Sequence, residues 1–148
     1  MDILIQENEF QRARQKIREA QKSGKKIVFT SNSDDLNRKI LEKEKINTLL
    51  LNLSGRKDKV KQRDSGFNQV LAKEAKKKNV AIGINLDEIL NSKENDKPKI
   101  LARVAQNIKL CNKNKLKMTF IAKEDRNLYD LKALSLVLGM PTWMTKEL

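Results

Sequence analysis

The stretch "TLLLNLSGRKDKVKQRDSGFNQVLAKEAKKKNVAIGINL", from Thr48 to Leu86, holds two apolar runs on either side of a charged connection. The runs "TLLLNL" and "VAIGINL" are nearly continuous instead of alternating, the pattern of strands covered on both faces. Between them Phe67, Val70, Leu71 and Ala75 recur at helical spacing, and a lysine run follows. Strand, helix and strand in that order form a βαβ unit, and repeated units build a parallel sheet.

The same alternation extends in both directions. Strand-like runs are predicted at Asp2–Ile5, Lys26–Thr30, Asn47–Leu53, Val80–Leu86 and Lys117–Ala122. Helical stripes lie between them: Phe10, Ala13, Ile17 and Ala20, then Leu36, Ile40 and Leu41. A later stripe of Leu101, Val104, Ala105, Ile108 and Cys111 begins behind Pro98, which suits a first helical turn. The last is Leu128, Leu131, Leu134, Val137 and Leu138, with Gly139 placed as a C-terminal stop. The expectation is a single α/β domain over residues 1–148, of alternating βα units around a mostly parallel sheet. "NSKENDKPK" (Asn91 to Lys99) reads as a long connection within that domain. Trp143 and Met144 in the tail either close the sheet or pack on a partner subunit.

Charge dominates the composition. The 148 residues hold 32 Lys and Arg against 19 Asp and Glu, for a net charge of +13. Such an excess repels itself in the folded state and is relieved by an anionic partner, of which nucleic acid is the commonest. No stretch joins a lysine face to a bulky aromatic face, so a membrane surface ranks behind nucleic acid. No apolar run reaches the roughly 18–20 residues of a membrane span. The opening "MDILIQENEF" lacks the features of a signal peptide, and a cytoplasmic location is expected.

Histidine is absent. That removes Ser–His and Cys–His nucleophile pairs and the H-E-x-x-H zinc site. The single cysteine, Cys111, excludes an internal disulfide and reads as a small buried residue. The five glycines form no phosphate-binding motif, so a nucleotide cofactor is not expected. Asp34, Asp35, Asp87, Glu88, Glu124 and Asp125 follow strand ends, where a carboxylate–Mg²⁺ centre would sit. Acids beside a helix start are more often caps, and no catalytic or metal-binding residue is assigned.

The connection between the two central strands is the strongest candidate site. Arg56, Lys57, Lys59, Lys61 and Arg63 face only Asp58 and Asp64 within it. It leads into a helix whose free N–H groups favour anions, and Ser65 or Asp64 is placed to cap that helix. A second basic series, Arg103, Lys109, Lys113, Lys115 and Lys117, is a candidate extension of the positive field. Exposed aromatic platforms for stacking bases are lacking at 4% aromatic content, so phosphates and shape are what such a surface would read.

At "RDSGFNQVLAKEAKKKNVAIGINL" the chain resembles ribonuclease P protein component 3, the barrel-like subunit of archaeal and eukaryotic ribonuclease P. The family's S-G-hydrophobic-N step is matched by Ser65, Gly66, Phe67 and Asn68, its L-A pair by Leu71 and Ala72. The strand that follows is matched by Val80, Ala81, Ile82, Ile84 and Asn85. Arg103, Asn107 and Leu110 stand in register in the next helix, and "LKALSLVLGM" is similar to the closing helix. The similarity covers roughly Asn47 to Met140. Gly83 replaces a usual acidic residue, and "FIAKEDRNLYDL" replaces a small-residue turn. A complete eight-fold barrel takes about 200–250 residues, so the resemblance implies a trimmed or incomplete TIM-barrel-like fold.

The resemblance further implies a subunit that does not cut RNA itself. The RNA component would hold Mg²⁺ and remove the 5′ leader of precursor tRNA. This chain would bind the RNA backbone and pair with ribonuclease P protein component 2 and other subunits. RNA contacts are then expected at Arg56, Lys57, Lys59, Lys61, Arg63, Ser65, Arg103 and Lys109. The alternatives are a stand-alone RNA-binding protein of the ribosomal type and a Mg²⁺ hydrolase using Asp34, Asp87 or Glu88.

Overall fold

The computed structural model describes residues 2–148. Five strands, β1 (Asp2–Gln6), β2 (Lys26–Thr30), β3 (Thr48–Leu51), β4 (Ala81–Asn85) and β5 (Met118–Ile121), form one sheet in chain order. Every neighbouring pair is parallel, with Leu49 beside Ile82 and Leu51 beside Ile84 at the centre. Five helices fill the connections: α1 (Phe10–Gln21), α2 (Asp34–Lys43), α3 (Gln69–Lys78), α4 (Leu86–Asn91) and α5 (Lys97–Lys113). Two more, α6 (Leu128–Val137) and α7 (Thr142–Thr145), complete the chain.

Strands added in sequence order through right-handed crossovers place their helices on one face. Accordingly α1 packs beside α2, α2 beside α3, and α3 beside α5. The core lies between this helical layer and the sheet. Ile27, Phe29, Leu49, Leu51, Ile82 and Ile84 meet Ile17, Ile40, Leu71, Val104 and Ile108 there. The other side is a concave groove of about 1020 Å³, lined by Leu4, Val28 and Leu50 among others. On that side Gly83 gives way to its neighbours. A Cβ at Gly83 would lie 3.1 Å from Leu50 Cδ1 and 3.3 Å from Ile121 Cγ1.

The fold is thus an arc of a barrel that stays open, with β1 and β5 as its edges. The expected alternation and parallel sheet are present, and element ends account for the differences. β3 ends at Leu51, one residue before Asn52, whose side chain bridges strands by donating to Thr30 Oγ1 at 3.0 Å and accepting from Asn85 Nδ2 at 3.2 Å. Leu86, expected as the last residue of a strand, instead begins α4. Asn85 caps it by accepting from the Glu88 backbone N–H at 3.1 Å, and Leu86 and Ile89 are buried.

The tail turns inward. Met144 is fully buried and the Trp143 indole N–H donates to Asn112 Oδ1 at 2.8 Å. On α6 the expected stripe does not form the packed face, because the helix is apolar nearly all round. Ser135 is its one buried residue, whereas Leu128 and Val137 are exposed along with Tyr129 and Leu136. No helix among the described residues is long and apolar enough to cross a membrane.

Candidate nucleic-acid interface

The connection from β3 to α3 is seventeen residues long, from Asn52 to Asn68, and owes its shape to side chains from three helices, α2, α4 and α5. Glu88 of α4 holds its start, accepting from the Leu53 backbone N–H at 2.7 Å and from Ser54 Oγ at 3.1 Å. Arg103 of α5 holds its middle. Its guanidinium, 3% exposed, donates to Leu53 O at 2.9 Å, Arg56 O at 2.8 Å and Asp58 Oδ1 at 3.2 Å. Gln106 and Asn107 hold its end, donating to the carbonyls of Arg63 at 3.2 Å and Ser65 at 3.4 Å.

Arg56 is the second internal brace. It donates through Nε to Asn52 O at 2.7 Å and forms a two-pronged pair with Asp34 of α2, at 2.9 and 3.0 Å. Asp64 closes the arrangement at 3.2 Å from the same guanidinium while accepting from the Gly66 N–H at 3.0 Å. Planar, two-pronged pairing of this kind fixes geometry as well as charge. These carboxylates hold Arg56 above the ordinary arginine value against the opposing effect of burial, so it stays charged. Asp58 lies below the usual carboxylate value, chiefly because it accepts from the Asp64 backbone N–H, with Arg103 adding to the effect.

The remaining cations are left outside this framework. Lys57, Lys59, Lys61 and Arg63 are exposed, and among the described residues none forms an ion pair. Lys59 and Gln62 close a small hairpin through backbone hydrogen bonds of 2.8 and 3.2 Å, with Val60 wholly exposed at its tip. Together with Arg38 these side chains line a groove of about 700 Å³ between the connection, the start of α2, the start of α3 and α5. The α3 cap is Asn68, not the expected Ser65 or Asp64. Asn68 Oδ1 accepts from the Leu71 N–H at 2.9 Å, after a left-handed turn at Gly66 with φ of +69°.

The structure therefore divides the expected contacts. Ser65 is buried, with its hydroxyl donating to Phe67 O at 3.3 Å. Arg103 is buried and committed to the connection, and Arg56 is mostly so. Lys109 is exposed on α5 but does not line the groove. Lys113, Lys115 and Lys117 precede β5 and so lie at the opposite end of the parallel sheet. Arg38, which pairs with Glu42 at 2.9 Å, lines the groove without having been named from the sequence, although its place in the first turns of α2, beside the next strand's connection, follows from the topology.

Three of the six candidate acids have local uses. Asp34 pairs with Arg56, Asp87 accepts from the Lys123 N–H at 2.9 Å, and Glu88 anchors the connection. Among the described residues no three of Cys, Asp and Glu are grouped to hold a metal ion.

No family model and no curated protein matches the chain. Among solved structures, it is similar to a chain of the cryo-EM structure of archaeal ribonuclease P with mature tRNA, with a TM-score of 0.79. The likeness is one of fold. Sequence identity is 23%, and the alignment covers 98% of this chain and 62% of that one. The chain thus spans less than two thirds of its structural relative.

Proposed function

We propose that this chain is a protein subunit of ribonuclease P, supporting the catalytic RNA that removes the 5′ leader of precursor tRNA. The observation that carries the proposal is the set of unpaired cations Lys57, Lys59, Lys61 and Arg63, held out from a rigid, internally braced connection. Such a group neutralises phosphates without reading bases. The likeness in fold to a ribonuclease P chain supports the same reading, as does the motif from Ser65 to Asn85. Arg56, Ser65 and Arg103 serve by shaping the platform, and the four free cations with Arg38 make the contacts. Bond cleavage and the Mg²⁺ it uses are assigned to the RNA; of the candidate acids, Asp34 is committed to Arg56, and Asp87 and Glu88 to backbone N–H groups. The exposed apolar side of α6, with Tyr129 and Val137, suits pairing with another protein subunit, component 2 of the same assembly.

Reconstitution tests the proposal. The cleavage rate of precursor tRNA by the cognate RNA should rise at low Mg²⁺ when this chain and its protein partner are added. No change at any Mg²⁺ concentration would remove the assignment.

A further inference from the structure

In a sheet of parallel strands in chain order, all helix-to-strand turns lie along one edge, opposite the strand-to-helix connections. Each of the four turns on that edge carries lysine. The α1–β2 turn supplies Lys22, Lys25 and Lys26, and the α2–β3 turn supplies Lys43 and Lys45. The third contributes the run ending α3, and the fourth the series before β5 described above. All eleven are exposed. The one acid within these turns, Glu44, is buried and paired with Arg14 at 2.7 Å and Arg18 at 3.7 Å. Glu147 meets Lys117 at 3.2 Å, and the other ten make no ion pair among the described residues.

The helix dipole accounts for only part of this. Lysines in a last helical turn complement the C-terminal carbonyls, which covers Lys43, Lys113 and the α3 run. Lys22, Lys25, Lys26, Lys45, Lys115 and Lys117 lie beyond the helices. None of the large exposed apolar side chains, such as Leu128, Leu136 or Val60, lies in these turns. An anionic membrane is therefore a poorer match, since interfacial binding draws on buried apolar area as well as charge.

We propose that this lysine edge is a second RNA-backbone surface, opposite the Lys57–Arg63 groove, so that one molecule bridges two phosphate tracks. The strands between the two surfaces are four or five residues, roughly 13–17 Å long, which sets the spacing the RNA segments must match. The inference rests on the RNA-binding reading given above and extends it to a separate face.

The test compares two multiple variants with the parent chain. The edge variant is Lys22→Gln, Lys25→Gln, Lys45→Gln, Lys77→Gln and Lys113→Gln; the groove variant is Lys57→Gln, Lys59→Gln, Lys61→Gln and Arg63→Gln. Binding to an RNA duplex of about 20 base pairs is followed between about 50 and 200 mM salt. The edge variant should bind at least tenfold more weakly at the lower salt. Its salt slope should fall by about 0.9 for each phosphate that it no longer neutralises. The parent chain should also bring donor- and acceptor-labelled duplexes into energy transfer, and each variant should lose that transfer while still binding one duplex. An edge variant that binds and bridges like the parent overturns the inference and leaves the groove reading standing. Edge lysines needed for phosphatidylserine vesicles but not for RNA would overturn it as well. A parent chain that binds no RNA would instead defeat the proposed function itself.

Discussion

The guanidinium of Arg56 occupies the space that a side chain on residue 66 would need. A Cβ built on Gly66 would lie 2.7 Å from Arg56 Cζ, and the Gly66 backbone is left-handed with φ of +69°. The glycine thus has two duties, a turn that other residues resist and an open seat for the brace. Gly66→Ala should cost about 1–2 kcal/mol from the backbone alone, with more from displacing Arg56. Urea unfolding would measure the loss, and faster amide exchange confined to residues 56–66 would locate it.

Exposed and braced cations should respond in opposite ways to neutralisation. Changing Lys57, Lys59, Lys61 and Arg63 to glutamine should weaken RNA binding and flatten its salt slope, with stability changed by under about 0.5 kcal/mol per site. Salt-dependent binding isotherms and a thermal melt on the same samples give both readings.

Arg103→Met keeps the bulk of the side chain but removes three donated hydrogen bonds. Two of the acceptors, Leu53 O and Arg56 O, would lose this partner inside the fold. The expected cost is about 2–4 kcal/mol. A fall in RNA affinity without any loss of stability would place Arg103 among the contacts instead.

Acid should loosen the connection before it unfolds the core. The Asp58 carboxyl is held below its ordinary 3.8, first by the Asp64 backbone N–H and then by Arg103. A group lowered in the folded state stabilises it above the unfolded value, and that contribution disappears as pH falls through the folded value. The Asp64 amide should stay protected down to pH about 3.8 and lose protection below it. Asp58→Asn should remove that acid step, as amide exchange followed across pH would show.

Cys111 is fully buried, and burial pushes its thiol up to about 12. The thiolate is the reactive form, so a disulfide reagent at mild alkaline pH should label the chain only after denaturant is added. Rapid labelling of the native protein would contradict the packing of α5 against the sheet.

The sheet was legible because β3 and β4 are apolar on both faces, and the intervening helix fixed their parallel sense. Boundaries were harder. Asn52 looks like a strand residue in sequence yet lies past the end of β3 and bridges strands through its side chain, whereas Asn85 ends β4 and also caps α4. On α6 the leucines are so evenly spread that the stripe chosen by periodicity is not the packed face, and the exposure of Val137 became visible only with neighbours in place. The basic connection stood out by charge alone, but charge does not say which cations are spent. Arg56 finds Asp34 twenty-two residues upstream, and Arg103 reaches Leu53 across fifty. Separations of that length are set by tertiary packing.

Strand order equal to chain order has a consequence for how the molecule is made. Each new strand joins the one completed just before it, so no segment waits for a distant mate to be synthesised. The polypeptide can build outward from its first strand–helix–strand portion as it leaves the ribosome, and short loop closures of this kind favour rapid assembly. A barrel that must join its last strand to its first lacks that freedom.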